Sequence, residues 1–311
     1  MSDAKPLPPV KPLPPARPRR IALPVTLFCL TVCTTFFTGA ALFAPHSIVE
    51  ACLNTHDFQP FRRTIISHWP NGVTYTLALL GILLAHEMGH FVATLLYRIP
   101  ASLPFFLPMP FLPGTLGAVI GMDGRRADRI QIFDIGLAGP LAGLVVAVPV
   151  MWAGVCQLDY SNPALGGFQM DVPLLVRWMM SWADKQSTDV FIGQLQNNPL
   201  FLAGWVGFLI TGLNMMPVSQ LDGGHVIHSL FGQHARLIAR SFVLLVIAYM
   251  VLSQRIQWIV MLALVMLMGP IHPPTRNDDL DIGWFRRILG TVSLAIPVLC
   301  FPPRALWWLG E

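Results

Sequence analysis

The chain has 311 residues, of which 20 are Lys or Arg and 16 are Asp or Glu, so charged residues make up 12% of it, against about 25% in an ordinary soluble domain. Hydrophobic residues make up 54%, which excludes a disordered chain and argues against a soluble enzyme, because too few charges remain to cover a soluble surface. We therefore expect a multi-pass integral membrane protein in a lipid bilayer. The net charge of +4 is better explained by membrane topology than by a nucleic-acid partner.

A proline-rich basic head occupies residues 1–20, where the sequence Lys5-Pro-Leu-Pro-Pro is repeated from Lys11. A polyproline ligand for a partner domain is one interpretation, but a disordered tail whose charge orients the first membrane helix is favoured. Residues 21–45 follow without a single charge and are long enough to cross about 30 Å of hydrocarbon as a helix. They predict the first transmembrane helix, an uncleaved anchor.

A second apolar stretch, residues 64–97, contains one charged residue, Glu87, in the sequence His86-Glu87-Met88-Gly89-His90. On a helix over 73–97, His86 and His90 project from one face about a turn apart, near enough to bind one metal ion, with Glu87 beside them. The alternative is that all three are packing residues satisfied by hydrogen bonds. Because ionisable side chains are costly inside a membrane, three of them on one turn favour a shared zinc site.

The next charge-free run, residues 99–122, carries a proline every few residues, which excludes a regular helix. It is predicted to be a re-entrant or β-like loop between the second and third spans, sheltered by the rest of the protein. The third span, 132–155, contains the glycine stripe Gly136, Gly139 and Gly143, which suits close packing beside the helix that bears His86.

The remaining chain completes the predicted architecture. The extramembrane insert 156–199 is expected to form a small helical cap without catalytic residues, and Cys52 and Cys156 could form a disulfide on the outer side. Most Lys and Arg residues lie on the side of the N-terminus, which predicts a cytoplasmic or topologically equivalent N-terminus. The fold is predicted to be all-α with about six to seven transmembrane helices, the later ones at 200–218, 237–253, 256–270 and 288–303, so that residues 237–311 form C-terminal membrane helices.

Zinc in a hydrolytic site takes a third protein ligand and keeps one open position. Asp222 is the best candidate, because it ends the charge-free run 190–221 in the stretch Leu213-Asn-Met-Met-Pro-Val-Ser-Gln-Leu-Asp-Gly-Gly-His225. A turn residue before Gly223 is the alternative, and the H-E-x-x-H pattern upstream favours the ligand role. Weaker candidates, each nearer a loop, are His225, His228, Asp123 and Asp134.

The two motifs carry a resemblance to a known family. His-Glu-Met-Gly-His in a membrane helix, followed by the Leu213–His225 stretch, resembles the site-2 protease family of intramembrane zinc metalloproteases, and Phe133–Gly143 is similar to the glycine-rich span of that family. The resemblance covers residues 73–230 and implies a protease core of three helices. It implies that His86, His90 and Asp222 bind one zinc ion, that Glu87 is the general base, and that Asn214 holds or polarises the scissile carbonyl. No stretch of the sequence resembles the PDZ or CBS modules of many relatives.

The activity that the resemblance implies is hydrolysis of peptide bonds in or near the transmembrane helix of a membrane-anchored protein, by Glu-assisted attack of a zinc-bound water. Residues Leu116–Ile120 have strand-like composition, and we hypothesise that they offer an edge to which an extended substrate adds; the alternative is a loop that only plugs the core. A non-proteolytic zinc-binding relative or a metal transporter is the competing function. A transporter would be expected to carry polar residues along several spans, whereas here they cluster in two elements.

Overall fold

The computed structural model describes residues 21–308 except 123, 163–166, 186–190, 219–220, 303 and all of 255–274 other than 258, 259, 262, 263 and 266. The predicted tail over residues 1–20, the candidate Asp123 and most of the predicted span 256–270 lie outside the described residues. The described helices are α1 Ala22–Ala40, α2 Pro45–Thr55, α3 Gln59–Leu96, α4 Arg129–Cys156, α5 Leu174–Trp182, α6 Pro199–Asn214, α7 Asp222–Phe231, α8 Ala235–Ser253, α9 Gly283–Ser293 and α10 Ile296–Cys300.

The fold is mostly helical, in line with the predicted all-α class, but it also contains a two-stranded and a three-stranded sheet. Among the described residues, five helical stretches are long and apolar enough to cross a membrane, and α6, with 16 residues, is a shorter apolar helix. The five stretches are Ala22–Ala40, Gln59–Leu96, Arg129–Cys156, Asp222–Ser253 and Gly283–Cys300. The total of six to seven spans stays a prediction.

Helix α3 is longer than the predicted span 73–97. Its 38 residues would reach about 57 Å if straight, but His68 has non-helical backbone angles and Pro70 follows it, so the helix is kinked there. Proline cannot donate the backbone hydrogen bond of a helix interior, which explains the kink at this point. The part beyond the kink carries His86 and His90.

Helices α3, α4 and α6 form the centre of the molecule, and small residues let them approach closely. A Cβ atom added at Gly89 of α3 would lie 2.4 Å from the carbonyl oxygen of Ala138 in α4. One added at Gly207 of α6 would lie 2.9 Å from Ile82 of α3. Large apolar side chains fill the remaining space and are fully buried, among them Tyr75, Leu79, Ile82, Phe133, Met151, Phe201 and Phe208.

The proline-rich run between α3 and α4 forms an antiparallel hairpin of β1 (Phe105–Pro108) and β2 (Thr115–Val119). The turn is held against α1 and α3, because Thr34 Oγ1 donates to the Gly114 carbonyl at 2.7 Å and the Tyr75 hydroxyl donates to the Pro113 carbonyl at 2.7 Å. The predicted β-like character is therefore observed, whereas a re-entrant position in the membrane stays a prediction.

The insert after α4 is not the helical cap that we expected. Strands β3 (Phe168–Asp171), β4 (Phe191–Gly193) and β5 (Leu306–Trp308) form an antiparallel sheet in the order β4-β3-β5, and α5 packs against α4 and α10. Strand β5 comes from the far end of the chain, so local sequence patterns in the insert do not reveal the third strand of this sheet. Cys52 and Cys156 are free thiols, and the suggested disulfide is not formed.

Candidate active site

The two histidines of the H-E-x-x-H sequence lie on the face of α3 that packs against α4. His86 is 2% exposed, Glu87 5% and His90 9%, although the helix also has faces on the molecular surface. The imidazole rings are 5.0 Å apart between centroids, as expected for residues one helical turn apart. Three ionisable side chains are thus buried together among apolar helices.

Asp222 is the first residue of α7 and brings a carboxylate to both rings. Its Oδ2 lies 3.2 Å from His86 Nε2, and its Oδ1 lies 3.3 Å from His90 Nε2. Gly223 makes this approach possible, because a Cβ atom there would lie 2.0 Å from the carbonyl oxygen of Met215, just after α6. The break between α6 and α7 therefore places the carboxylate over the histidine face of α3.

These three side chains have the chemistry and spacing of a zinc site. Two imidazoles and one carboxylate are a common ligand set for catalytic zinc, and ligand atoms bound at about 2.0–2.1 Å to a tetrahedral ion lie roughly 3.3 Å from one another. The nitrogen and oxygen atoms of His86, His90 and Asp222 all lie within 4.8 Å of one another. They form the one such group of His, Cys, Asp or Glu side chains among the described residues.

A backbone carbonyl fixes the orientation of His90. The Nδ1 atom of His90 lies 2.7 Å from the carbonyl oxygen of Ile135 in α4, and this contact is buried. Because a carbonyl only accepts hydrogen bonds, Nδ1 carries the proton. In the neutral ring, the lone pair of Nε2 then faces the Asp222 carboxylate, and a cation between the two satisfies both.

The glycine stripe of α4 provides the space for these ligands. A Cβ atom at Gly139 would lie 2.1 Å from His90 Nε2, and one at Gly143 would lie 3.1 Å from His86 Nδ1. A Cβ atom at Gly136 would lie 2.7 Å from the Cβ atom of His225 in α7. The predicted packing of this stripe beside the histidine helix is observed, and the stripe also admits α7.

Asn214 and Glu87 flank the three candidate ligands. Asn214 is the last residue of α6, and its Nδ2 lies 3.3 Å from His86 Nε2. Glu87 is close enough to interact electrostatically with His86, His90 and Asp222. The structure thus brings every proposed site residue to one place.

The weaker candidates for the third ligand lie outside the group of three ligand atoms. His225 packs against Gly136 and is close enough to interact electrostatically with Asp222 and His90, but it is not a member of that group. His228 Nε2 lies 3.0 Å from Asp278 Oδ1. Asp134 is paired with Arg286, 152 residues later in the chain. Because 152 residues separate the two side chains in the chain, local sequence patterns do not predict this pairing.

Comparisons with known proteins agree with this geometry. The sequence model of peptidase family M50 matches residues 74–254. The chain belongs to peptidase family M50. This confirms the resemblance to the site-2 protease family that the two motifs carry. M50 peptidases are zinc metalloproteases, so membership supports zinc as the metal of the cluster.

Three curated relatives are plant proteins. The chain is 32% identical over 234 residues to the probable zinc metalloprotease EGY1, chloroplastic, of Oryza sativa subsp. japonica, which covers 73% of this chain and 40% of the relative. The EGY1 protein of Arabidopsis thaliana is 30% identical over 228 residues, covering 72% and 41%, and the Arabidopsis EGY2 protein is 28% identical over 248 residues, covering 74% and 41%. The chain therefore spans about 40% of the length of these relatives.

Proposed function

We propose that the protein is a membrane-embedded zinc metalloendopeptidase that hydrolyses peptide bonds in or near the transmembrane segments of membrane-anchored proteins. The observation that carries the proposal is the convergence of His86, His90 and Asp222 beside Glu87, buried between helices long enough to cross a membrane. A hydrolytic site at this depth can reach a bond that soluble proteases cannot. The N-terminus is placed on the cytoplasmic or topologically equivalent side, following the distribution of Lys and Arg.

In this proposal His86, His90 and Asp222 hold one zinc ion. Zinc at such a site supplies a Lewis acid that activates water near neutral pH and stabilises negative charge on the substrate oxygen. Ile135 keeps the proton of His90 on Nδ1, so that Nε2 remains available as a ligand.

Glu87 is the general base and then the general acid. Its carboxylate takes a proton from the attacking water and returns it to the nitrogen of the leaving amine. No other Asp or Glu among the described residues lies in the cluster beyond Asp222, which serves as a ligand. Burial of Glu87 keeps bulk water away from the proton while it is held.

Asn214 contributes a hydrogen bond from its side-chain amide. Its Nδ2 lies at the cluster, 3.3 Å from His86 Nε2, and in this proposal the amide turns toward the substrate carbonyl. A donor of this kind stabilises the charge that develops on the carbonyl oxygen during attack.

The substrate is proposed to bind as an extended strand along β2. In a helix the backbone N–H and C=O groups are hydrogen-bonded to one another. The scissile region therefore has to unwind before cleavage, and its freed backbone groups then need other hydrogen-bond partners. Among the described residues β2 pairs only with β1, and the side chains of Leu116 and Val119 are exposed. The strand also approaches α6, since a Cβ atom at Gly117 would lie 4.0 Å from Ile210.

Removal and return of the metal test this function. The purified chain, reconstituted in lipid nanodiscs, is expected to contain one zinc ion, to cleave members of a panel of tagged single-span substrates, to lose cleavage after chelation and to regain it with added zinc. Zinc bound at one per chain without cleavage of any substrate would favour a zinc-binding protein that is not a protease. Cleavage that survives complete removal of the metal would contradict the proposed mechanism.

A further inference from the structure

A polar cluster at one end of the helix bundle joins three helices. The guanidinium of Arg286, in α9, donates from Nε to Asp134 Oδ1 and from Nη2 to Asp134 Oδ2, each at 2.8 Å. The hydroxyl of Tyr97, just after α3, donates to Asp134 Oδ2. We call Tyr97, Asp134 and Arg286 the Asp134 clasp.

The Asp134 clasp is bonded to the turn of α4 that orients His90. Asp134 is followed directly by Ile135, whose carbonyl accepts the proton of His90 Nδ1 at 2.7 Å. Helix α9 touches the same turn on an apolar side, because a Cβ atom at Gly290 would lie 2.7 Å from the ring of Phe133. Helix α9, which lies outside the three central helices, therefore holds this turn by one polar contact, through Arg286, and one apolar contact, through Gly290.

This turn of α4 lacks one of the backbone hydrogen bonds that normally stabilise a helix. Pro140 has no N–H, so the Gly136 carbonyl has no helical donor four residues later. Gly136 and Gly139 offer no side chain with which the helix could pack, and glycine has low helix propensity. The residues that leave room for His90 and His225 thus weaken the helix that must present the Ile135 carbonyl.

We infer that the Asp134 clasp is a positioning device for the metal site: Arg286 and Tyr97 hold Asp134, and thereby the Ile135 carbonyl, so that His90 presents Nε2 to the metal. This inference rests on the proposed zinc site. Arg286 lies beyond residues 74–254, the part matched by the family, so this chain supports its site with a residue from outside the matched core.

Arg287 offers a matched control on the same helix. Its Nη2 lies 2.7 Å from Asp281 Oδ1, but both side chains are largely exposed, at 64% and 69%. An exposed ion pair contributes little to stability. Arg286→Met and Arg287→Met therefore remove the same charge from neighbouring positions, and only the first releases Asp134.

The test is the zinc affinity of the full chain, measured in nanodiscs by competition with a chromophoric chelator. Loss of groups that orient a metal ligand typically weakens metal binding by about 10–100-fold, and we expect roughly tenfold for Arg286→Met, because it acts through Ile135. Arg287→Met should stay within about twofold of the wild type. Arg286→Lys should fall between the two, because lysine keeps the charge but not the bidentate geometry.

A second readout separates positioning from simple stabilisation. The visible absorption of the cobalt-substituted protein reports the geometry of the ligands, and it should change in Arg286→Met and remain unchanged in Arg287→Met. If Arg286→Met does not fold, Tyr97→Phe removes a single donor and should weaken zinc binding in the same direction. Affinities and spectra equal to the wild type in the folded variants would overturn the inference. If the wild type binds no zinc, or His90→Ala binds it as tightly as the wild type, the proposed site itself is wrong.

Discussion

His90 Nε2 occupies the space that a side chain at position 139 would need. A Cβ atom added at Gly139 would lie 2.1 Å from this nitrogen, far inside van der Waals contact. The metal-facing atom of a histidine on α3 is therefore accommodated only because α4 has no side chain at that point. A helix-packing residue and a candidate zinc ligand form one structural unit.

Replacing Gly139 with Ala should displace the His90 ring. We expect zinc affinity to fall by about 100-fold or more, because Nε2 cannot keep its place opposite Asp222. Gly81→Ala on α3 is the control, since a Cβ atom there meets nothing within 4 Å. The control should bind zinc normally and gain about 0.5–1 kcal/mol in stability from its better helix propensity. Equal zinc affinity in the two variants would contradict the packing geometry.

Asn214→Ala should lower the rate of cleavage but leave the zinc content of the protein unchanged. Loss of a hydrogen bond to a developing oxyanion typically lowers kcat by about 100- to 1000-fold. Zinc content, measured by atomic emission on the same sample, should stay at the wild-type level. An Asn214→Ala protein that melts earlier but turns over substrate at the wild-type rate would show that Asn214 only ends α6.

Val119→Pro tests the edge of β2. Proline removes a backbone N–H and should abolish most cleavage while zinc content stays normal. Val119→Thr is the control, because threonine keeps the N–H and the β-branched shape. Full activity of Val119→Pro on a single-span substrate would rule out addition of the substrate to this strand.

The segment before α9 should make stability sensitive to acid. Burial opposes the charge of Asp278, but hydrogen bonds from Thr275 and His228 outweigh it and lower the pKa of this carboxyl. A lowered folded-state pKa stabilises the fold above the unfolded value of about 3.9, and this contribution is lost as pH falls through the folded value. Thermal unfolding below about pH 4 should therefore depend less on pH in Asp278→Asn than in the wild type. The same slope in both proteins would contradict this role.

The sequence predicts the parts of the site that depend on local spacing. His86, Glu87 and His90 share a helix turn because four residues span about one turn, and the glycine stripe follows from the same periodicity. Local spacing does not predict Asp222 as a ligand. Only the resemblance to a family and the break near Pro217 connect it to His86, 136 positions earlier. Its proximity to both rings is visible only in three dimensions.

Long-range pairing explains what the sequence does not predict. Strand β5 completes the sheet of the insert from the C-terminal end of the chain, and Arg286 reaches Asp134 across 152 residues. Neither pairing leaves a periodic pattern in its own segment. From the sequence, Arg286 counts only as one of the basic residues on the side of the N-terminus. In the fold it is hydrogen-bonded to Asp134, in the turn that orients His90.

Glu87→Gln gives the most direct test of the proposed hydrolysis. The amide is nearly the same size as the carboxylate, so His86, His90 and Asp222 should bind zinc as in the wild type. It cannot accept the proton of the attacking water, and cleavage of a tagged single-span substrate in nanodiscs should fall by at least about 100-fold. A Glu87→Gln protein with normal zinc content and wild-type cleavage would contradict the account.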